Sequence, residues 1–214
     1  MADSKFQLRI GAHSLIPIVQ GGMGIGVSAH RLAGAVAREN GFGTISSVDL
    51  RQLHPDLLAE SLVTPTEEKY NRLNHQALDR EIQLALSESN GRGLIAVNVM
   101  KAVKDHVALV RQACESGAQA IVMGAGLPLD LPDWVKDFPK VKILPILSEV
   151  RGVNLILKRW MKKNRLPDAI VIENPQFAAG HLGATAMSDI DHPKFEFKRV
   201  LADLFELIKQ MGLE

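Results

Sequence analysis

The chain has 214 residues, 46% of them hydrophobic, so it can bury the core of one large domain or two small ones. Its 25 Lys+Arg and 24 Asp+Glu leave a net charge of +1, which argues against nucleic-acid or membrane-surface binding. No apolar run approaches the roughly 20 residues of a membrane span, the start is too polar for a signal peptide, and one cysteine allows no internal disulfide, so we expect a cytoplasmic protein.

Short apolar runs predict six parallel strands. In chain order they are Leu15–Val19, Phe42–Ser47, Gly93–Val97, Ala118–Val122, Val141–Leu147 and Asp168–Ile172. Runs that are apolar on successive residues are typical of strands covered on both faces.

Amphipathic patterns predict helices between these strands. We expect Ser28 to cap the first helix, whose apolar stripe includes Leu32 and Val36 and which Gly41 ends. Other residues repeat at helical spacing. They are Leu78, Ile82, Ala85 and Leu86; Val103, Val107, Val110 and Cys114; Val153, Ile156, Leu157 and Trp160; and Phe197, Leu201, Leu204 and Ile208.

The connection from Asp49 to Arg92 is long for a single strand-to-helix unit. Thr64-Pro65-Thr66-Glu67 has the pattern of a capping box with proline at the first helical position, and predicts a helix that runs toward Ser89. We interpret residues 54–70 as inserted material. It is either a lid over the strand ends or a surface elaboration.

Alternation of strands and helices indicates an α/β fold with a parallel sheet. An open doubly wound sheet and a βα barrel both fit. A complete barrel needs eight units in about 250 residues. Residues 1–214 are thus expected to form a single domain of about six units.

A glycine-rich segment, Gln20-Gly21-Gly22-Met23-Gly24-Ile25-Gly26, follows the first predicted strand. Glycines expose backbone N–H groups and let a ring or a phosphate come close. The segment therefore predicts a ligand-binding loop. Its match to the dinucleotide fingerprint is weaker, because four residues separate the strand from the first fingerprint glycine.

Small and polar residues follow several other predicted strands. Asn98 comes directly after Val97, and its amide can both donate and accept hydrogen bonds. Gly124-Ala125-Gly126, Ser148 and Glu173 follow the next three strands. Since parallel strands end at one edge of a sheet, these groups are expected to face one pocket.

His181 lies between Gly180 and Gly183, just past the last predicted strand. Its imidazole can move a proton near neutral pH, deprotonate a carbon acid or hold an anion. Cys114 is expected to be a core thiol. Lys158, Arg159, Lys162, Lys163 and Arg165 are expected at a helix C-terminus, away from substrate. No metal-ligand spacing occurs.

These residues together resemble the nitronate monooxygenase family, formerly called 2-nitropropane dioxygenase, which includes flavin-type enoyl-acyl carrier protein reductases. The similarity spans about residues 8 to 185. It is carried by Pro17–Gly24, Ser28 to Gly43, Val97-Asn98, Gly124–Gly126 and Ala179-Gly180-His181-Leu182-Gly183.

The resemblance implies a TIM barrel that binds FMN at the strand C-termini. Gly22 and Met23 would then lie along the flavin ring with Gln20 close by, and Asn98 would contact the ring edge. Glu173 and Gly180 would line the cofactor pocket. His181 matches the active-site histidine of the family.

The chain departs from the family pattern in three ways. The connection from Asp49 to Arg92 is longer than usual. Ala179 replaces the first of two glycines before the histidine. The seventh and eighth strands, whose loops hold the FMN phosphate, have no counterpart. We therefore expect a TIM-type barrel with only about six βα units, either a fragment or completed by another chain.

Three functions follow as alternatives. The first is FMN-dependent oxidation of alkyl nitronates by molecular oxygen, assisted by His181. The second is NAD(P)H-dependent flavin reduction of enoyl thioesters, and the third is a non-catalytic ligand-binding module or an inactive barrel fragment. We expect a small-molecule substrate and neither nucleic-acid nor membrane partners. The sequence does not set the oligomeric state, and a homo-oligomer is compatible with it.

Overall fold

The computed structural model describes residues 6–178, 184 and 186–213. Contacts divide the chain into two units. The first contains the chain up to Val99, with Val103–Val122 and Trp134–Lys142, and the second contains Met100–Ala102, Met123–Asp133 and the chain from Ile143 onward. Each unit includes one pair of neighbouring parallel strands.

Strands and helices alternate along the chain after a short hairpin. In order, the elements are β1 (Leu8–Ile10), β2 (His13–Leu15), α1 (His30–Arg38), β3 (Phe42–Ser46), a 3-10 turn (Leu50–Leu53), α2 (Pro55–Leu62), α3 (Glu67–Ser89), β4 (Leu94–Met100), α4 (His106–Glu115), β5 (Ala120–Gly124), α5 (Leu131–Trp134), β6 (Lys142–Leu147), α6 (Val150–Met161), β7 (Val171–Ile172), two 3-10 turns (Met187–Asp189 and Pro193–Phe195) and α7 (Phe197–Gln210).

The main sheet has the strand order β3-β4-β5-β6-β7, and β1 and β2 form a separate antiparallel pair. In the first unit β3 pairs with β4 in parallel, so that Ile45 lies beside Val97 and Ser46 beside Asn98. In the second unit β6 and β7 are parallel over only two pairs of residues. Strands β3 to β6 confirm four of the predicted runs, with bounds shifted by a few residues.

The first predicted strand, Leu15–Val19, is wrong. Leu15 ends the hairpin strand β2, and residues beyond it make a single parallel bridge from Val19 to Phe42. Pro17 has no N–H to donate and interrupts a regular ladder. The segment still runs beside β3, because Gln20 N–H donates to Phe42 O at 2.9 Å.

The predicted start and apolar stripe of α1 are also wrong. Ala29 precedes the helix and no side chain caps it, while Leu32 is exposed. The buried positions are instead Ala33, Gly34 and Ala37. These small residues allow the helix backbone to approach β3 closely, which a leucine stripe would prevent.

Helix α3 confirms the predicted end at Ser89, and Leu78, Ile82 and Ala85 are buried as expected. Its N-cap is Thr66 rather than Thr64, since Thr66 Oγ1 accepts a hydrogen bond from Lys69 N–H at 3.2 Å. The preceding insertion, residues 54–70, contains the helix α2, which the sequence pattern did not predict.

The later helices confirm the predicted stripes to different degrees. On α6 all four expected residues are buried, whereas on α7 Val200 and Leu204 are buried and Phe197 and Leu201 are exposed. Strand β7 is shorter than predicted, and both of its residues are half-buried. Among the described residues, no helix combines the length and the apolar character of a membrane span.

Candidate functional site

A buried serine fixes the glycine-rich loop at residues 20–28. Ser28 Oγ accepts a hydrogen bond from Met23 N–H at 2.7 Å and donates to Met23 O at 3.2 Å. Ser46 N–H donates to Ser28 O at 3.0 Å, which joins the loop to the end of β3. Ser28 thus orders the loop instead of capping α1, and the Met23 side chain is left exposed.

The Gln20 side chain also holds the loop against β3. Its Oε1 accepts from Thr44 N–H at 3.0 Å, and its Nε2 donates to Thr44 O at 3.0 Å. The side-chain amide therefore makes the two hydrogen bonds to Thr44 that the backbone of a neighbouring strand would otherwise make. Because both ends of the amide are engaged, Gln20 is best placed to shape the loop around a ligand.

Gly22 and Asn98 approach each other closely. A Cβ on residue 22 would lie 2.5 Å from Asn98 Cβ and 2.6 Å from Asn98 Nδ2, so this position requires glycine. Asn98 lies within β4, not after it as predicted, and is only 8% exposed. Its Oδ1 is buried and has no hydrogen-bond partner among the described residues.

An unpartnered buried acceptor is costly unless a ligand or a water satisfies it. Gly22 beside it offers bare backbone, to which a flat ring can come close. The first unit therefore brings together Gln20, Gly22, Met23 and Asn98, four of the residues that the sequence predicted. This arrangement suits a planar ligand with an N–H at its edge.

Ser46 and Ser47 are functional candidates that the sequence analysis missed. Both are buried at the end of β3, and Ser47 N–H donates to Asn98 O at 3.1 Å. The signal was the same one that identified Ser148, a small polar residue that follows an apolar run. The predicted strand Phe42–Ser47 included both serines, so they were not recognised as residues at a strand end.

A second missed feature is a carboxylate between two imidazoles beside α1. Glu81 is 1% exposed. Its Oε2 lies 2.9 Å from His30 Nδ1 and accepts from His30 N–H at 2.7 Å, and its Oε1 lies 3.1 Å from His54 Nε2. Since His30 begins α1, this cluster holds the helix that follows the glycine-rich loop.

The second unit contains a cavity of about 410 Å³ at the ends of β5, β6 and β7. Gly126, Ser148 and Glu173 line it, as do Ala125 and Arg151. Glu173 N–H donates to Leu147 O at 2.9 Å, which fixes the residue just after β7. The second unit thus brings together the later strand-end residues that the sequence predicted.

The predicted catalytic His181 and cofactor-binding Gly180 lie outside the described residues. Within the described part of the chain, no group of three His, Cys, Asp or Glu residues is arranged to hold a metal ion.

Cys114 and the basic segment, which the sequence analysis set aside as non-functional, both have a structural role. Cys114 is buried on α4, and burial raises the pKa of its thiol to about 12. In the basic segment that includes the end of α6 and the residues after it, Lys163 Nζ donates to Asp130 Oδ1 at 2.7 Å, and this bond lowers the pKa of Asp130. Both are therefore occupied in packing or surface pairing.

Comparison with known proteins agrees with this description. A family model described as nitronate monooxygenase matches residues 8–212. No curated protein sequence matches the chain. Among solved structures, FabK from Thermotoga maritima is 19% identical with a TM-score of 0.51 and covers 75% of this chain. Nitroalkane oxidase from Streptomyces ansochromogenes is 17% identical with a TM-score of 0.59 and covers 89%.

At these identities the two structures show a shared fold. They support the predicted fold class, α/β of the TIM-barrel type with about six βα units. The chain spans about half the length of the structures that it matches, 41% of the first and 55% of the second.

Proposed function

Because the chain belongs to the nitronate monooxygenase family, we propose that it acts in an FMN-dependent oxidoreductase that oxidises alkyl nitronates with molecular oxygen. The observation that carries the proposal is the pair formed by Gly22 and Asn98. A buried amide oxygen without a partner lies beside a glycine that has no room for a side chain.

The residues of the first unit fit a flavin. Its ring is flat, which suits the backbone of Gly22 and Met23, and its edge carries an N–H that would satisfy Asn98 Oδ1. Ser28 and Gln20 hold that backbone in place through the hydrogen bonds described above. The family resemblance would make Glu173 a further residue of the cofactor pocket.

Bound flavin would supply the redox chemistry, and the protein would supply position and electrostatics. Asn98 would orient the ring edge, and the backbone of residues 22–23 would keep one ring face in contact with protein. His181 would hold the nitronate anion or exchange a proton with its carbon. The substrate, oxygen and the cofactor identity all belong to this proposal.

The first experiment titrates the purified chain with FMN and follows the flavin absorbance and fluorescence. We expect Asn98→Leu to weaken FMN binding about tenfold, the effect of one lost hydrogen bond of about 1.4 kcal/mol. Asn98→Asp keeps an acceptor at the same position and serves as the matched variant. Equal loss in both, or none in either, would remove Asn98 from the cofactor site.

The second experiment measures oxygen uptake with propyl-1-nitronate. His181→Ala is expected to lower turnover, while His13→Ala, on the hairpin strand β2, is the control. Turnover that is unchanged in His181→Ala would exclude that residue from the mechanism. Flavin bleaching by NADPH without any nitro compound would favour the enoyl-thioester reductase instead, and a chain that stays colourless with FMN would favour a non-catalytic module.

A further inference from the structure

The first unit contains a cavity that the proposed cofactor site does not use. It has a volume of about 420 Å³ and lies where β3 ends, between Ser47–Asp49, the first turns of α3 and the segment from Val103 to Leu109. Ser47 lines this cavity and also contacts one of the proposed flavin-binding residues, because its N–H donates to the backbone oxygen of Asn98 at 3.1 Å.

Every charged side chain that lines this cavity, among the described residues, is a carboxylate. These are Asp49, Glu67 and Asp105. Their basic partners are not among the lining residues: Arg51 pairs with Asp49, Lys104 lies 3.2 Å from Glu67, and His75 lies 2.6 Å from Asp105. The His75 ring contacts Asp105 through Oδ2 of the carboxylate.

A buried hydroxyl at the cavity gives a second, independent indication of a ligand. Ser47 is only 2% exposed and lines the cavity. Its Oγ is buried and has no hydrogen-bond partner in the described part of the chain. A group that is kept from water without a partner is satisfied most simply by a polar ligand.

Neighbouring side chains hold the wall in a fixed shape. Asn74 Nδ2 donates to Asp49 Oδ1 at 3.4 Å, and Asn74 Oδ1 accepts from Arg51 N–H at 3.3 Å. The Arg51 guanidinium lies 4.4 Å from the centre of the Tyr70 ring, so that one face of Tyr70 is already covered. The Tyr70 ring is thereby oriented as part of the lining.

We propose that this cavity binds the ammonium group of a small-molecule substrate, so that the chain selects nitronates that carry an amine. Carboxylates and an unpartnered hydroxyl are acceptors, and an ammonium group offers three donors and a positive charge. The nitronate part of this statement rests on the proposed function, whereas the ammonium site stands on the cavity itself.

Tyr70 is the only tyrosine in the sequence, so a label on tyrosine reports on this cavity alone. The protein is prepared with 3-fluorotyrosine and its fluorine resonance is followed without flavin. We expect n-butylammonium to shift this resonance to saturation, and n-butanol and butyrate to leave it in place. A resonance that does not move, or moves equally with butyrate, overturns the proposal.

Variants test which groups bind. Asp105→Asn and Glu67→Gln should each weaken n-butylammonium binding about three- to fivefold, the range of a partly exposed charge pair. Asp137→Asn is the control, since that exposed carboxylate pairs with Arg111 and does not line the cavity. Undiminished binding in both test variants, or an equal loss in the control, would contradict the assignment.

Turnover separates this inference from the proposed function. The nitronate of 3-amino-1-nitropropane should have a kcat/KM about tenfold above that of its isostere 1-nitrobutane, a difference of about 1.4 kcal/mol. A Tyr70 shift without turnover of either compound would refute the proposed function and keep the ammonium site. Turnover of both without preference, together with no Tyr70 shift, would refute the ammonium site alone.

Discussion

Strands β3 and β7 come from similar apolar runs, but they differ in the folded chain. All five residues of β3 are buried, whereas β7 has two residues and both are half-buried. Helix α1 packs directly on β3, and β3 pairs with β4 over five residues, while β7 pairs with β6 over two. An apolar run therefore predicts that a strand forms, but its neighbours decide how tightly it is packed.

The largest expected effect compares two glycines, one in each unit. A Cβ at Gly43 on β3 would overlap the backbone carbonyl of Ala33 on α1, and a backbone cannot move aside as a side chain does. We expect Gly43→Ala to lower the free energy of unfolding by about 3 kcal/mol or more. Urea denaturation measures it.

The matched variant in the second unit is Gly152→Ala. There a Cβ would lie 3.2 Å from Leu147 Cδ2, the flexible end of a side chain. Since alanine also favours the helix α6, the change in stability should stay within about 1 kcal/mol. Equal destabilisation by the two variants would show that β3 is not the more tightly packed region.

Within the first unit, a buried charged group should contribute more to stability than an exposed one. In the first unit Glu81 is buried against His30 and His54. Glu81→Gln keeps the shape but removes the charge that both imidazoles face, and we expect a loss of about 2 kcal/mol of stability. The control is Glu60→Gln, an exposed partner of Arg72, which should change stability by less than about 0.5 kcal/mol.

The buried thiol of Cys114 gives the first unit a pH-dependent contribution. Burial raises its pKa from the ordinary 9.0 to about 12, so the unfolded chain loses this proton first as the pH rises. Relative to Cys114→Ala, the native protein should lose about 1 kcal/mol of stability per pH unit between about 9 and 12, and nothing below that window. Parallel pH profiles of the two proteins would contradict this.

The smallest effect is expected at Lys163 in the second unit, where the pairs with Asp130 and Asp133 lie at the surface. Lys163→Met should lower stability by less than about 1 kcal/mol, and added salt should reduce the difference further. The hydrogen bond from Lys163 lowers the pKa of Asp130, so any contribution is present above the ordinary value of 3.8 and is lost as the pH falls. Thermal unfolding at two salt concentrations measures it.

Local patterns predicted the order of strands and helices well, because buried parallel strands are continuous apolar runs. They were less reliable for the residues that hold the site. Ser28 is at a position typical of a helix N-cap, yet its hydroxyl accepts a hydrogen bond from Met23 N–H within the glycine-rich loop. Asn98 was placed after its strand, whereas it lies inside β4. The surroundings of Ser28 and Asn98 depend on which backbone groups lie next to them in the folded chain, and local sequence does not specify this.

The cluster of His30, His54 and Glu81 could not be predicted from spacing. Its members come from three separate parts of the chain, and each alone is an ordinary polar residue. The same holds for the carboxylates of the proposed ammonium site. Such groups become visible only when the long insertion after β3 is placed, since α2 and α3 carry no motif that fixes their position.

Ala125 is held in the left-handed backbone region, at φ 54°, between two glycines at the end of β5. A residue with a Cβ lies there about 1 kcal/mol above its relaxed state, and Ala125 is one of the residues that line the cavity of the second unit. Asparagine tolerates this conformation and would narrow the space, whereas glycine would widen it. The volume of this cavity is therefore expected to depend on the residue at position 125.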